Sequence, residues 1–313
     1  MNKFFQRDVF INEVYDEAKK DKDIIFISAD FGAPSLDKFR KDLPDQFIHS
    51  GISEQHMIDL ASGLSLSGKK VYVYAMAPFI TLRCLEQIKC SLAMMDLPVT
   101  IIAVGVGLGY ADAGPTHYLT EDIACMRSIV GLEIYSASDE YTTKFIAKKT
   151  LEDPKLRVVR LERHPLANIY TEDIDIIDSS FINIVKGSKL VILSYGHLLH
   201  RAYEVVSKYN NNLSEDQKIG LIDIFSIKPL SNKLKNELSK YKKIITYEEQ
   251  CLDGGFGSCI LEFLNDNNLN LPTLRLGLKE QYYFENGGRE YLLDKNNLSI
   301  ENLNKQIELL NNK

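Results

Sequence analysis

The stretch His49-Ser-Gly-Ile-Ser-Glu-Gln-His-Met57 sets a carboxylate, Glu54, after a Gly-Ile-Ser turn and at the head of an apolar-periodic segment. A carboxylate there is either an ordinary helix-start acid or a group aimed at a ligand, and His117, in the glycine-rich run GVGLGYADAGPTH (105–117), is a second candidate functional residue. Arg7 and Arg163 carry the planar forks suited to gripping phosphate or carboxylate in two places at once. Asp30, Ser35, Phe79 and Asp112 fall in or beside the same class of loop. Each has an ordinary explanation. Glu54 in a first helical turn gains about 0.3–1 kcal/mol from the helix dipole alone. Phe79 is by default a core aromatic, His117 a hydrogen-bonded loop residue, and Arg7 and Arg163 surface pairs of little consequence. The glycines of 105–114 serve turn geometry and lack the spacing of a dinucleotide fingerprint.

What raises these residues above the ordinary is where the chain must put them. Apolar strands alternate with helical patterns. Strands read at 23–30, 69–77, 98–105, 132–138 and 156–163, and helices at 54–68, 83–95, 120–129 and 140–153. Continuous apolar strands separated by helices predict a parallel sheet covered on both faces. Between 167 and 186 the pattern turns acidic and irregular, a linker with room for one edge strand. It restarts with strands at 189–196, 218–225 and 242–249, helices at 197–209 and 232–241, a glycine-rich turn (DGGFGS) into another helix, and an amphipathic tail. The fold class is therefore α/β, with two doubly wound domains: residues 1–170, a linker 171–187, and a smaller domain 188–313. Ligands in open parallel sheets bind outside the carboxyl ends of the strands. Asp30, Ser35, Glu54, Met76 to Phe79, the 105–117 run and Arg163 all follow strand ends or open helices, so five loops converge on one rim.

Composition narrows the partners. The chain has 313 residues, 45% apolar and 26% charged, with a net charge of −6. That balance disfavours nucleic acid. Five cysteines without a CxxC pair or a histidine cluster point to buried thiols in a reducing compartment rather than disulfides or zinc. The N-terminus lacks a signal-peptide pattern, and the most apolar run, 99–110, is too short to span a bilayer. The expected location is cytoplasmic, with no membrane contact.

The ordered elements GISEQHMIDLASGLSLSG, EQIKCSLAMMDLPVTIIAVGVGLGYADAGPTHYLTEDIACMR and RLERHPL resemble the pyrimidine-binding domain of transketolase-family thiamine diphosphate enzymes. ILSYG, IDIFSIKPL and YEEQCLDGGFGS are similar to that family's C-terminal domain. The resemblance covers nearly the whole chain. It implies that Glu54 is the carboxylate bonded to the pyrimidine ring nitrogen, stabilising the imino tautomer that deprotonates the thiazolium carbon. It implies that Phe79 packs on the pyrimidine, that Asp30 lies at the cofactor, and that His117 contacts substrate. Arg163, Arg7 and Ser35 then answer to sugar-phosphate contacts and Asp112 to a contact with sugar hydroxyls. Three departures stand out. Met76 and Leu82 occupy neighbourhoods where the family has more aromatics. Ala103 or Val104 replaces a phosphate-binding histidine. Arg83 lies in a segment one residue longer than the transketolase spacing.

The family's diphosphate and Mg²⁺ are held through a Gly-Asp-Gly motif that this chain lacks; Asp253-Gly254-Gly255 is the nearest string, in the other domain. The resemblance therefore implies the C-terminal subunit of a split transketolase, partnered with an N-terminal subunit in an α2β2 assembly and moving a two-carbon ketol unit between sugar phosphates. Two alternatives act on pyruvate: a 1-deoxy-D-xylulose-5-phosphate synthase-like reaction and a 2-oxo acid dehydrogenase beta-type subunit. A third is a non-catalytic scaffold that keeps the fold. Donor and acceptor sugars are not legible.

Overall fold

The computed structural model describes residues 3–29, 34–170, 176, 178, 180–211 and 213–311. Two α/β halves are built on separate sheets. The larger sheet has seven strands in the order Ser226–Lys228, Glu133–Ser136, Arg157–Leu161, Val99–Val104, Lys70–Met76, Ile24–Ser28 and Phe47–His49. All its pairings are parallel except the first. Its central strands, IIFIS and VTIIAV, are buried at every position, as a sheet covered on both faces requires. The smaller sheet has five strands in the order Thr273–Leu278, Lys243–Cys251, Leu190–Ser194, Gly220–Asp223 and Ile182–Val185. The last of these is antiparallel and occupies the edge.

Three features lay beyond the sequence reading. An N-terminal helix, Gln6–Ala18, packs against the Glu140–Glu152 helix on one face of the larger sheet, burying Phe10, Ile11, Val14 and Ala18. The strand Ser226–Lys228 belongs by sequence to the second half but pairs in the first half's sheet, beside Glu133–Ser136. The expected helix 83–95 is instead a 3₁₀ turn at Leu82–Cys84, a short α segment at Leu85–Gln87 and a π-helical stretch at Ile88–Ala93. In that stretch the Met94 amide bonds Lys89 O at 2.9 Å, one residue further back than an α-helix allows. Such π segments commonly mark functional positions, and this one follows the turn that carries Arg83.

Parallel strands put their carboxyl ends at one edge. The residues after Ser28, His49, Met76, Val104 and Leu161 therefore share a rim. A two-stranded ribbon, Lys3–Phe4 with Leu166–Ala167, brings the start of the chain to the segment just beyond Arg163. Among the described residues no helix is long and apolar enough to cross a membrane.

Candidate active site

Glu54 is the first residue of the helix Glu54–Leu66, and Gly51, with φ +72°, turns the chain into it. The side chain is only 4% exposed. Burying a carboxylate is unfavourable unless something compensates, so a purely dipolar role would leave it in solvent. Here Arg83 Nη1 donates to Glu54 Oε2 at 2.8 Å, while Oε1 has no partner among the described residues. Beside Glu54 opens a cleft of ≈390 Å³ lined by Ala29, His49, Ile52, Ala75, Met76 and Phe79. A largely apolar cleft of this size with one buried carboxylate suits a flat heteroaromatic ring whose nitrogen meets that carboxylate. The site thus fits the aminopyrimidine of thiamine diphosphate.

Phe79 sits on a one-turn helix, Ala77–Ile80, where the strand Lys70–Met76 ends. Three groups fix its position. The Arg83 guanidinium lies 4.2 Å from the ring centroid, and the His117 ring meets it edge-on at 5.2 Å. The Cys84 thiol also bonds the Phe79 carbonyl, at 3.2 Å. Arg83 does not line the cleft, so it braces both the carboxylate and the ring from outside the space a ligand would take.

The 105–117 run continues the chain of contacts. Gly105 (φ +86°) and Gly107 (φ +59°) need the left-handed conformation, and a Cβ at Gly105 would lie 1.9 Å from the Tyr110 ring. Tyr110 is thereby folded back onto the loop, its ring 6.2 Å from that of His117. Arg163 stacks on Tyr110, 4.3 Å from the ring centroid, and pairs through both Nη atoms with Asp112. The bond from Arg163 holds the Asp112 carboxyl below its ordinary range. His117 Nδ1 lies 2.9 Å from Thr116 Oγ1.

The structure thus brings Glu54, Phe79, His117, Asp112 and Arg163 into one sequence of contacts, with Arg83 and Tyr110 as joints that sequence reading had not assigned. Nothing in their spacing alone marked either: Arg83 depends on the broken helix and Tyr110 on the reversal at Gly105. Arg7 and Ser35 stand apart among the described residues. Arg7 stacks on Phe5 at 5.3 Å and faces Asp8 at 3.6 Å. Ser35 lies in the turn Pro34–Leu36, its hydroxyl buried without a hydrogen bond. Asp30 lies outside the described residues. Among the described residues no group of three or more His, Cys, Asp or Glu is placed to hold a metal ion.

The chain has relatives along its whole length. Residues 4–168 match the transketolase pyrimidine-binding domain, and residues 182–298 the transketolase C-terminal domain. One subunit of the apulose-4-phosphate transketolase of Phocaeicola vulgatus is 30% identical over 92% of this chain and 93% of its own. The 1-deoxy-D-xylulose-5-phosphate synthase of Francisella philomiragia is also 30% identical, over 96% of this chain, but this chain spans only 48% of that protein. A solved split-gene transketolase, described as an inactive beta4 tetramer, superposes with a TM-score of 0.85 over 98% of both chains at 24% identity.

Proposed function

This chain belongs to the transketolase family, and we propose that it is the C-terminal subunit of a split transketolase that transfers a two-carbon ketol unit from a ketose phosphate to an aldose. The single observation that carries this reading is Glu54, buried at a helix start, with one carboxylate oxygen braced by Arg83 and its side chain lining a largely apolar cleft with Phe79. Residues 1–170 form the pyrimidine-binding domain, 171–187 the connection and 188–313 the C-terminal domain. A cytoplasmic N-terminal subunit supplies the diphosphate and Mg²⁺ site in an α2β2 assembly. The Phocaeicola vulgatus relative, named as one subunit of a transketolase and matching this chain over nearly all of its own length, supports that division.

Thiamine diphosphate, when bound, supplies the carbon nucleophile that carries the ketol unit. Glu54 holds and returns a proton at the pyrimidine ring nitrogen. Met76 and Phe79 help exclude water from that contact, which strengthens it. Phe79 sets the angle of the ring through its stack. His117, against Phe79, is placed to exchange a proton with a substrate hydroxyl. Arg163 offers a fork for phosphate once it exchanges its pairing with Asp112, which then faces sugar hydroxyls. Arg7 and Ser35, which stand apart from these contacts, are assigned to the anion grip by the family resemblance alone.

The test is co-expression with a Gly-Asp-Gly-containing partner chain, followed by assay with thiamine diphosphate and Mg²⁺. The expected result is consumption of xylulose 5-phosphate by the pair and not by either chain alone. Decarboxylation of pyruvate by the pair would move the protein to the synthase or 2-oxo acid dehydrogenase branch. Turnover by this chain unaided would refute the split.

A further inference from the structure

Behind the rim, at the seam of the two halves, lies a buried ionic cluster that the mechanism does not use. Arg289, at the start of the helix Gly288–Lys295, donates to Glu249 from Nε at 2.8 Å and from Nη2 at 2.6 Å. The same Nη2 lies 2.7 Å from Glu162 Oε2. All three side chains are at least nine-tenths buried. The two arginine contacts come from different halves: Glu249 from the Lys243–Cys251 strand of the smaller sheet, Glu162 from the residue after Arg157–Leu161 in the larger. Arg289 and His197 hold the Glu162 carboxyl down to about 2 against its burial.

Both carboxylates reach onward to the substrate side. Glu249 Oε2 accepts from the Leu108 amide at 3.3 Å, in the run that carries Tyr110, Asp112 and His117. Glu162 Oε1 accepts from the Arg163 amide at 2.8 Å and the His164 amide at 3.3 Å. The Glu162 amide in turn donates to Gln6 Oε1 at 2.7 Å, and Gln6 precedes Arg7. So Arg163 stands one residue beyond Glu162, and Arg7 one residue beyond the glutamine bonded to it. The cavity among these groups is only ≈20 Å³, far below the ~300 Å³ at which small-molecule sites begin, so the cluster is not itself a binding pocket.

We infer that Arg289 is a positioning residue through which the C-terminal half sets the geometry of the sugar-phosphate grip, an inference that rests on the substrate roles assigned above to Arg163, Arg7 and His117. One guanidinium fixes two segments of the rim at once. Losing the fork lets the 105–117 run and the Arg163 segment drift independently, and misplacement by about 1 Å at such a site is worth on the order of 100-fold. The Glu54–Arg83 pair shares none of these contacts and is left as it is, and Phe79 is tied to the 105–117 run only by the edge-on His117 ring while Arg83 and Cys84 still hold it.

The experiment uses the assembled pair with Arg289→Lys, which keeps the charge and loses the fork, and Glu249→Gln, which keeps side-chain volume but leaves one acceptor oxygen for Arg289 and the Leu108 amide together. In each, the KM for a phosphorylated ketose donor is expected to rise at least about tenfold. The thiamine diphosphate Kd is expected to stay within about twofold, and the KM for a phosphate-free ketol donor, which still meets His117 and Asp112 but not Arg163 or Arg7, to rise less than that for the phosphorylated donor. If Arg289→Lys does not assemble, Glu249→Gln decides. An unchanged phosphorylated-donor KM in a natively folded variant overturns the inference, as does a cofactor Kd that worsens in step with KM. Arg163→Ala separates the two layers. If it raises the same KM while the other variants do not, only the Arg289 inference fails. If it leaves KM unmoved, the substrate assignment fails and the inference falls with it.

Discussion

Arg83 Nη1 lies 2.8 Å from Glu54 Oε2 while the same guanidinium stacks 4.2 Å from the centroid of Phe79. One side chain thus fixes both the carboxylate proposed to meet the pyrimidine nitrogen and the ring proposed to pack on that heterocycle. The arginine is 43% exposed, so screening keeps the pair's worth to about 1 kcal/mol. Arg83→Ala is accordingly expected to weaken thiamine diphosphate binding by the assembled pair about fivefold. Calorimetry with an analogue whose pyrimidine nitrogen is replaced by C–H gives the check. If Arg83 acts through Glu54, the analogue's affinity should barely change; equal weakening of both ligands would mean that Arg83 only supports the fold.

Glu54→Gln keeps shape and burial but cannot hand a proton to the ring nitrogen. The expected loss in kcat for the pair is about 10²–10⁴-fold, with the melting temperature close to that of the wild type. Full activity in this variant would return Glu54 to a helix-start acid and put the scaffold reading first.

These residues were unequally visible in the sequence. That Glu54, Phe79 and His117 share a rim was legible because a parallel sheet delivers its strand ends to one edge and the order of apolar runs implies the sheet; the roles proposed for them came from the family resemblance. Arg83 was visible but without a role, since it lies in a 3₁₀ turn where the 83–95 run shows apolar residues at helical intervals and no sign of the break. Gln6, Glu249 and Arg289 were not legible at all. Their partners lie 156, 141 and 40 residues away in sequence, and neither periodicity nor spacing reports such distances. The strand Ser226–Lys228 escaped for the same reason: the sequence reading places no strand there, and its partner Glu133–Ser136 lies far back in the sequence.

Gly107 joins the two layers of the site. Its φ is +59°, and a Cβ there would come within 2.4 Å of Glu249 Oε2. Gly107→Ala therefore adds backbone strain and pushes the carboxylate off Leu108 and Arg289. The expected outcome is a loss of about 2–4 kcal/mol of stability, read as a lower urea midpoint. An unchanged midpoint would show that the loop sidesteps the clash.

Arg160 and Asp122 form a bidentate pair at 2.6 and 3.1 Å, both about 1% exposed, between the larger sheet and the Asp122–Met126 helix. Removing one partner strands a buried charge. Arg160→Met alone should destabilise by about 3–5 kcal/mol, while Arg160→Met with Asp122→Leu should recover most of that loss. A double variant no more stable than the single one would mean that Arg160 matters through Ser136 and Tyr195, which it also touches, and not through the pair.

Asp223 gives a pH dependence opposite to that of an ordinary acidic group. It is fully buried, accepting from Ser138 Oγ at 2.8 Å and Tyr170 Oη at 2.7 Å, with no ion pair to a cation among the described residues. Burial pushes its carboxyl up to about 8, with Asp139 nearby adding to the rise. The folded chain keeps a proton that the unfolded chain releases near pH ~4, so stability from this group is fully present below that pH and is lost as pH rises through about 8. Glu248, also pushed up to about 8 by burial, declines in the same window. Asp223→Asn cannot titrate, so it should remove one of the two declines. The variant's stability relative to wild type should improve by up to about 1.4 kcal/mol per pH unit between about pH 5 and 8. Urea midpoints at each pH measure the gap. A gap that stays constant across that range would show that Asp223 is ionised in the folded chain throughout.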